Sequence, residues 1–147
     1  MKTNLKLFLL IMLSISIEAK SQTKTDDVIG VWLTGGKEPA KIQIYKVGKK
    51  YYGKIVWLKN PLQKDKPKLD ANNPDKNKRN QPIIGIIILT GFEFDGNEWA
   101  NGKIYDPESG KTYSCNLSLK DNATLKVRGC VGFSMFGRTE TWTRTNL

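Results

Sequence analysis

From residue 22 onward, no stretch of the chain repeats its apolar residues every three to four positions over the length a helix needs. What recurs is a short run rich in β-branched and aromatic residues, closed off by glycine, proline, asparagine or aspartate. Such runs predict strands near 28–35, 40–47, 50–58, 85–94, 98–105, 111–119, 123–131 and 138–145. Alternation is clearest where Tyr113, Cys115, Leu117 and Leu119 oppose Thr112, Ser114, Asn116 and Ser118. Residues 85–89 are apolar on both faces, which suits a strand covered on both sides. Eight short strands without repeats or a second domain predict an all-β fold, a small up-and-down antiparallel barrel.

The connections between these runs alternate in length. Gly48-Lys49, Asp95-Gly96-Asn97 and Asp121-Asn122 are tight hairpin turns. Residues 36–39, 59–84, 106–110 and 132–137 make longer connections. In a meander, alternate loops share an end, so one end is pinched and the other carries every long loop. Barrel mouths of the second kind are frequent ligand sites. Gly30-x-Trp32 on the first strand and Arg144 on the last meet at the pinched end, where a guanidinium can stack on the indole. This arrangement resembles the lipocalin and calycin barrels. Trp32 and Arg144 therefore read as structural.

The N-terminus has its own grammar. Lys2 and Lys6 precede an apolar run of 11 residues, 7–17, and small residues flank Lys20 at Ala19 and Ser21. This is the three-part layout of a secretory signal peptide, too short for the roughly 18 residues of a membrane span. Residues 1–21 are expected to be removed, leaving one domain from Gln22 to Leu147 in the periplasm or the medium. No cysteine stands near the cleavage site to carry a lipid. The first 21 residues hold three of the 24 basic residues and one of the 14 acidic ones, so the remainder carries +8. For an exported chain, that charge suits small anions, anionic glycans or lipid headgroups rather than nucleic acid.

The chain contains no histidine. This removes Ser-His-Asp and Cys-His catalysis and every imidazole metal site, and no cofactor is implied. Cys115 and Cys130 read as structural. Export would permit a disulfide between them, but alternation sends them to opposite faces unless a bulge at Gly129 intervenes.

The 59–84 connection is the main anomaly. At 26 residues it exceeds an ordinary loop, and its seven basic residues against three aspartates give it +4, half the charge of residues 22–147. Its oxygen-rich stretch Asp70-Ala71-Asn72-Asn73-Pro74-Asp75 fails the spacing of a calcium loop, because Pro74 occupies a ligand position and no distal Glu follows. Asx turns at Asp70 and Asn73 account for it. Asp106-Pro107-Glu108-Ser109-Gly110 reads as a turn at the same end, and the apolar 132–137 loop as a closure of the barrel.

Gly30-x-Trp32, Tyr52-Gly53-Lys54-Ile55, Asp70 with Asn73-Pro74-Asp75, Arg79 to Pro82 with Gly85, Tyr105-Asp106-Pro107 with Gly110, Tyr113, Arg128-Gly129 and Trp142-x-Arg144 together resemble domain-of-unknown-function family 2147, a group of exported bacterial proteins. The resemblance implies a periplasmic or secreted calycin-like barrel and brings no activity or catalytic residues with it.

The leading expectation is a non-enzymatic barrel binding a small anionic or amphiphilic envelope ligand at its long-loop end. Asp70, Asn73, Arg79, Asp106, Lys111, Tyr113, Arg128, Phe133 and Phe136 are the candidate contacts. The alternatives are a hydrolase using Asp70 and Asp106 as an acid–base pair, and a structural or partner-binding protein using a strand edge or the 132–137 loop.

Overall fold

The computed structural model describes residues 22–130 and 138–147. Its strands are β1 (Gly30–Leu33), β2 (Ala40–Val47), β3 (Lys50–Leu58), β4 (Leu62–Gln63), β5 (Lys66–Pro67), β6 (Ile87–Phe94), β7 (Trp99–Asp106), β8 (Lys111–Asp121), β9 (Thr124–Cys130) and β10 (Arg138–Thr145), with a 3-10 turn at Lys76–Lys78. Eight of them form a closed antiparallel barrel in the order β1-β10-β9-β8-β7-β6-β3-β2, while β4 and β5 make a small ribbon inside the long connection. The barrel and its eight strands are those the sequence predicts. Residues 1–21 and the 131–137 segment, with Phe133 and Phe136, lie outside the described residues.

Local chemistry sets the tight turns. Asp95 accepts the backbone N–H groups of Asn97 and Glu98 at 2.9 and 2.8 Å, and these donors hold its carboxyl below the usual range. Asp121 accepts from the Ala123 N–H at 2.9 Å. Gly48 turns the β2–β3 hairpin at φ +61°.

One expectation fails. Residues 85–89 do not form a strand covered on both faces, because Ile87 is 48 % exposed while Ile88 and Leu89 are both buried. A bulge is the reason. Gly53 pairs with Leu89 and the next residue, Lys54, with Ile87, so Ile88 is the extra residue of β6. Gly53 also makes room for the Leu89 side chain, since a Cβ there would stand 2.8 Å from Leu89 Cδ1.

At the pinched end the barrel is packed solid. Trp32, Tyr51, Phe92, Trp99, Leu117 and Leu125 are fully or almost fully buried. The residues before β1 cover this end: Trp99 Nε1 donates to the Thr25 carbonyl at 3.0 Å and Trp32 Nε1 to the Val28 carbonyl at 2.9 Å. The Arg144 guanidinium lies 4.2 Å from the Trp32 ring centroid. It donates to the carbonyls of Asn122, Ile29 and Asp27 at 2.6, 2.9 and 2.6 Å. Gly30, at φ +144°, makes this possible, because a Cβ would come within 2.6 Å of Arg144 Nη1. Gly-x-Trp and the distant arginine are thus one device.

The cysteines sit side by side on adjacent strands, Cys115 opposite Gly129 and Cys130 opposite Ser114. Cys115 is buried, and the Cys130 side chain lies outside the described residues.

Replacing Arg144 by Ala should lower stability in urea unfolding by about 1–3 kcal/mol, through the lost stacking and the carbonyls left without their donors. Arg144→Lys should recover less than half of this, because an ammonium cannot reproduce the planar fork.

Candidate functional site

The β1–β2, β3–β6 and β7–β8 connections meet at the other end, and the interior there is hollow. A cavity of about 900 Å³ opens at the long-loop end and runs down to Ala40, Ile42, Ile55, Ile88, Val127 and Trp142. These inward residues are the deep apolar wall. Nearer the mouth stand Glu38, Lys59, Lys68, Asp106, Glu108, Tyr113, Arg138 and Glu140. The barrel is therefore a cup with an aromatic base, an aliphatic wall and a polar rim of mixed charge.

The 59–84 connection is an ordered wall of that cup. Lys68, Leu69, Ala71, Asn72 and Ile83 all line the cavity. Its base is a short two-stranded stem, in which the Asp70 N–H donates to the Gln81 carbonyl and the Ile83 N–H to the Lys68 carbonyl, each at 2.9 Å. Two contacts then fix it to the β7–β8 hairpin. Tyr105 donates its hydroxyl to Asp70 Oδ1 at 2.6 Å. Asn72 donates its amide to the Glu108 carbonyl at 2.7 Å. The Asn72 carbonyl also lies against Gly110 (φ +70°), where any Cβ would overlap it.

Asp70 is the centre of this latch. It has no exposed surface. Asn73 Nδ2 donates to its other oxygen at 2.6 Å, and Gln81 Nε2 reaches the same oxygen at 3.5 Å. Hydrogen bonds make its burial tolerable. Burial pushes the Tyr105 phenol well above its ordinary value, and the hydrogen bond to Asp70 and the negative charges of Asp70 and Asp106 add to the shift.

The candidate residues separate into groups. Asp106 and Tyr113 line the cavity. Asp106 also caps its own turn, accepting from the Glu108 N–H at 3.0 Å and the Ser109 hydroxyl at 2.6 Å. Asp70 and Asn73 are buried in the latch, and Arg79 braces it by donating to the Asn73 carbonyl at 2.7 Å. The Asx turn at Asn73 forms as expected, with the Asp75 N–H on Asn73 Oδ1 at 2.9 Å. Lys111 and Arg128 are exposed, and neither lines the cavity. Arg128 alternates with the inward Val127, which puts it on the outer wall. Among the described residues there is no cluster of three or more acidic or cysteine side chains able to hold a metal.

Sequence reasoning missed Arg138 and Glu140. They share the inward parity of Trp142 on β10, and Trp142 Nε1 donates to Glu140 at 3.3 Å. Arg138 stands 3.8 Å from the same carboxylate. The alternation of Arg138, Glu140 and Trp142 with threonines was the available signal, masked because charged residues read as outward.

An eight-stranded closed barrel, plugged at one end and hollow at the other, is a lipocalin-like fold. Residues 30–144 match the model of domain-of-unknown-function family 2147, described as an uncharacterized protein conserved in bacteria, and the chain belongs to that family. A solved structure, protein HP1028 from the human pathogen Helicobacter pylori, described as belonging to the lipocalin family, superposes with a TM-score of 0.72 at 22% identity, covering 80% of this chain and 82% of that one. No curated protein sequence matches significantly.

Tyr105→Phe should loosen the latch, costing about 1–3 kcal/mol because a buried carboxylate loses a donor, and should raise hydrogen exchange in residues 68–83. In the parent protein, one tyrosine should resist ionisation when absorbance is followed through pH 10. A folded-state value raised above the unfolded one means that Tyr105's contribution is intact below about pH 10 and declines as pH rises beyond it.

Proposed function

We propose that this protein is a non-enzymatic carrier that holds a small amphiphile in its open-end cavity. The observation carrying this reading is the gradient along the cup, from the buried Trp142 and the aliphatic wall to the charged side chains that stand at the rim among the described residues. Such a space places an apolar chain deep and a polar group at the mouth, and about 900 Å³ is within the range of small-molecule sites. The rim narrows the ligand further. Lys59, Lys68 and Arg138 face four carboxylates there, Glu38, Asp106, Glu108 and Glu140. The basic charge of the chain thus does not extend into the cavity, and amphiphilic character describes the ligand better than anionic charge does.

A hydrolase using Asp70 and Asp106 has less support. A substrate cannot reach Asp70 while that residue has no exposed surface. Among the described residues no helix is long and apolar enough to cross a membrane. We further propose that residues 1–21 are a signal peptide, from the layout of Lys2, Lys6, the apolar run and Ala19-x-Ser21.

The fluorescent polyene fatty acid cis-parinaric acid should bind the chain starting at Gln22 with micromolar affinity. Ala40→Phe and Val127→Phe, each filling the deep wall, should weaken it at least about tenfold while near-ultraviolet circular dichroism is retained. Unchanged binding in both variants would sink the cavity reading. For export, mass spectrometry of the protein from the bacterial envelope should give an N-terminus at Gln22, and an intact Met1 would overturn the signal assignment.

A further inference from the structure

Among the described residues, eight large apolar side chains are exposed, and five of these lie within residues 57–87: Trp57, Leu62, Leu69, Ile84 and Ile87, each 40–54 % exposed. All five belong to β3, β6 or the connection between these two neighbouring strands. Trp57 is the penultimate residue of β3, Ile87 begins β6, and those strands are neighbours in the barrel. Leu62 lies on the β4–β5 ribbon, and Leu69 bridges to Pro82 at the base of the loop that carries it. Folding leaves this apolar surface in water.

The charges interleaved with it are mostly of one sign. Lys59, Lys64 and Lys66 are exposed, and the Lys41 ammonium lies 5.6 Å from the Trp57 ring centroid. Lys68 is paired with Glu38 at 3.7 Å, which leaves Asp65 as the local acid. The ribbon tip is also strained, because Lys64 and Asp65 both have positive φ, 50° and 61°. In a two-residue hairpin, glycine or asparagine would meet that requirement at lower cost.

We propose that this sector is a docking face for an anionic lipid bilayer. Tryptophan and leucine beside lysines is the chemistry of the membrane interface: the apolar groups enter the headgroup boundary and the ammonium groups meet lipid phosphates. A second copy of the chain fits poorly, since the same lysines would face one another. The docking face is independent of what the cavity holds. Leu69 is shared by the patch and the cavity wall.

The test uses the chain from Gln22, which contains every strand and the whole described core, so that the apolar run before it does not contribute. Sedimentation with vesicles of phosphatidylglycerol mixed with phosphatidylcholine should exceed that with phosphatidylcholine alone by at least about tenfold, and high salt should remove the excess. Trp57→Ser with Leu62→Ser, and separately Lys64→Glu with Lys66→Glu, should each lower partition at least about fivefold while cis-parinaric acid binding is unchanged. Binding to neither vesicle, equal binding to both, or wild-type partition in both double variants would overturn the proposal. The first of these results would leave the face to a protein partner. Because fatty-acid binding is read separately, failure of the docking face and failure of the carrier reading give different results.

Discussion

The barrel closes through its shortest strand. β1 spans four residues, yet it bonds to β10 on one side and β2 on the other. Four residues give few backbone hydrogen bonds per edge, so the seam needs reinforcement from side chains. Arg144 supplies it. One guanidinium joins the residues before β1 to the β8–β9 turn through three carbonyls and covers Trp32. Everything else in the structure depends on that seam. An open sheet of this twist would expose both the buried tryptophans and two strand edges.

The two ends divide the work. Aromatic bulk is concentrated where the turns are tight, and glycines admit it: Gly102 leaves space for the Phe92 ring and Gly30 for the arginine. The hollow end holds its form by polar contacts instead. Asp70, Tyr105, Asn72 and Glu108 fix the long connection without filling the cavity beneath it. A buried carboxylate surrounded by neutral donors is a costly fixture, but it gives a unique position to a connection that has little apolar surface to bury.

How much of this the sequence discloses follows from which forces are local. Strand positions and the polarity of the loops were readable because alternation and turn chemistry act over two to four residues. The pairing of Trp32 with Arg144 was readable because strand order in a meander follows chain order. The bulge at Ile88 was not, because it depends on Gly53 making room for Leu89 across the sheet. Nor was the burial of Asp70. Its donors Tyr105, Asn73 and Gln81 come from two separate segments, and local pattern gives an aspartate in a polar loop no reason to leave water. Asp106 and Tyr113 fell on the cavity because they flank a turn at the open end, whereas Arg128 was assigned to the mouth from its charge although alternation already turned it outward.

The Arg144 contacts also bear on how the chain is made. The guanidinium bonds to Asp27 across 117 positions of sequence, nearly the whole length of the domain. A folding chain can form its hairpins in order, but the sheet has no closing strand until β10 pairs with β1. Contacts of such long range form slowly. Until then β1 and the latest strand to pair are open edges, able to pair with another chain. The interval between the first hairpin and the last arginine is therefore when this protein is most vulnerable to misassembly. A truncation of only a few C-terminal residues should leave a nearly complete sheet that cannot close.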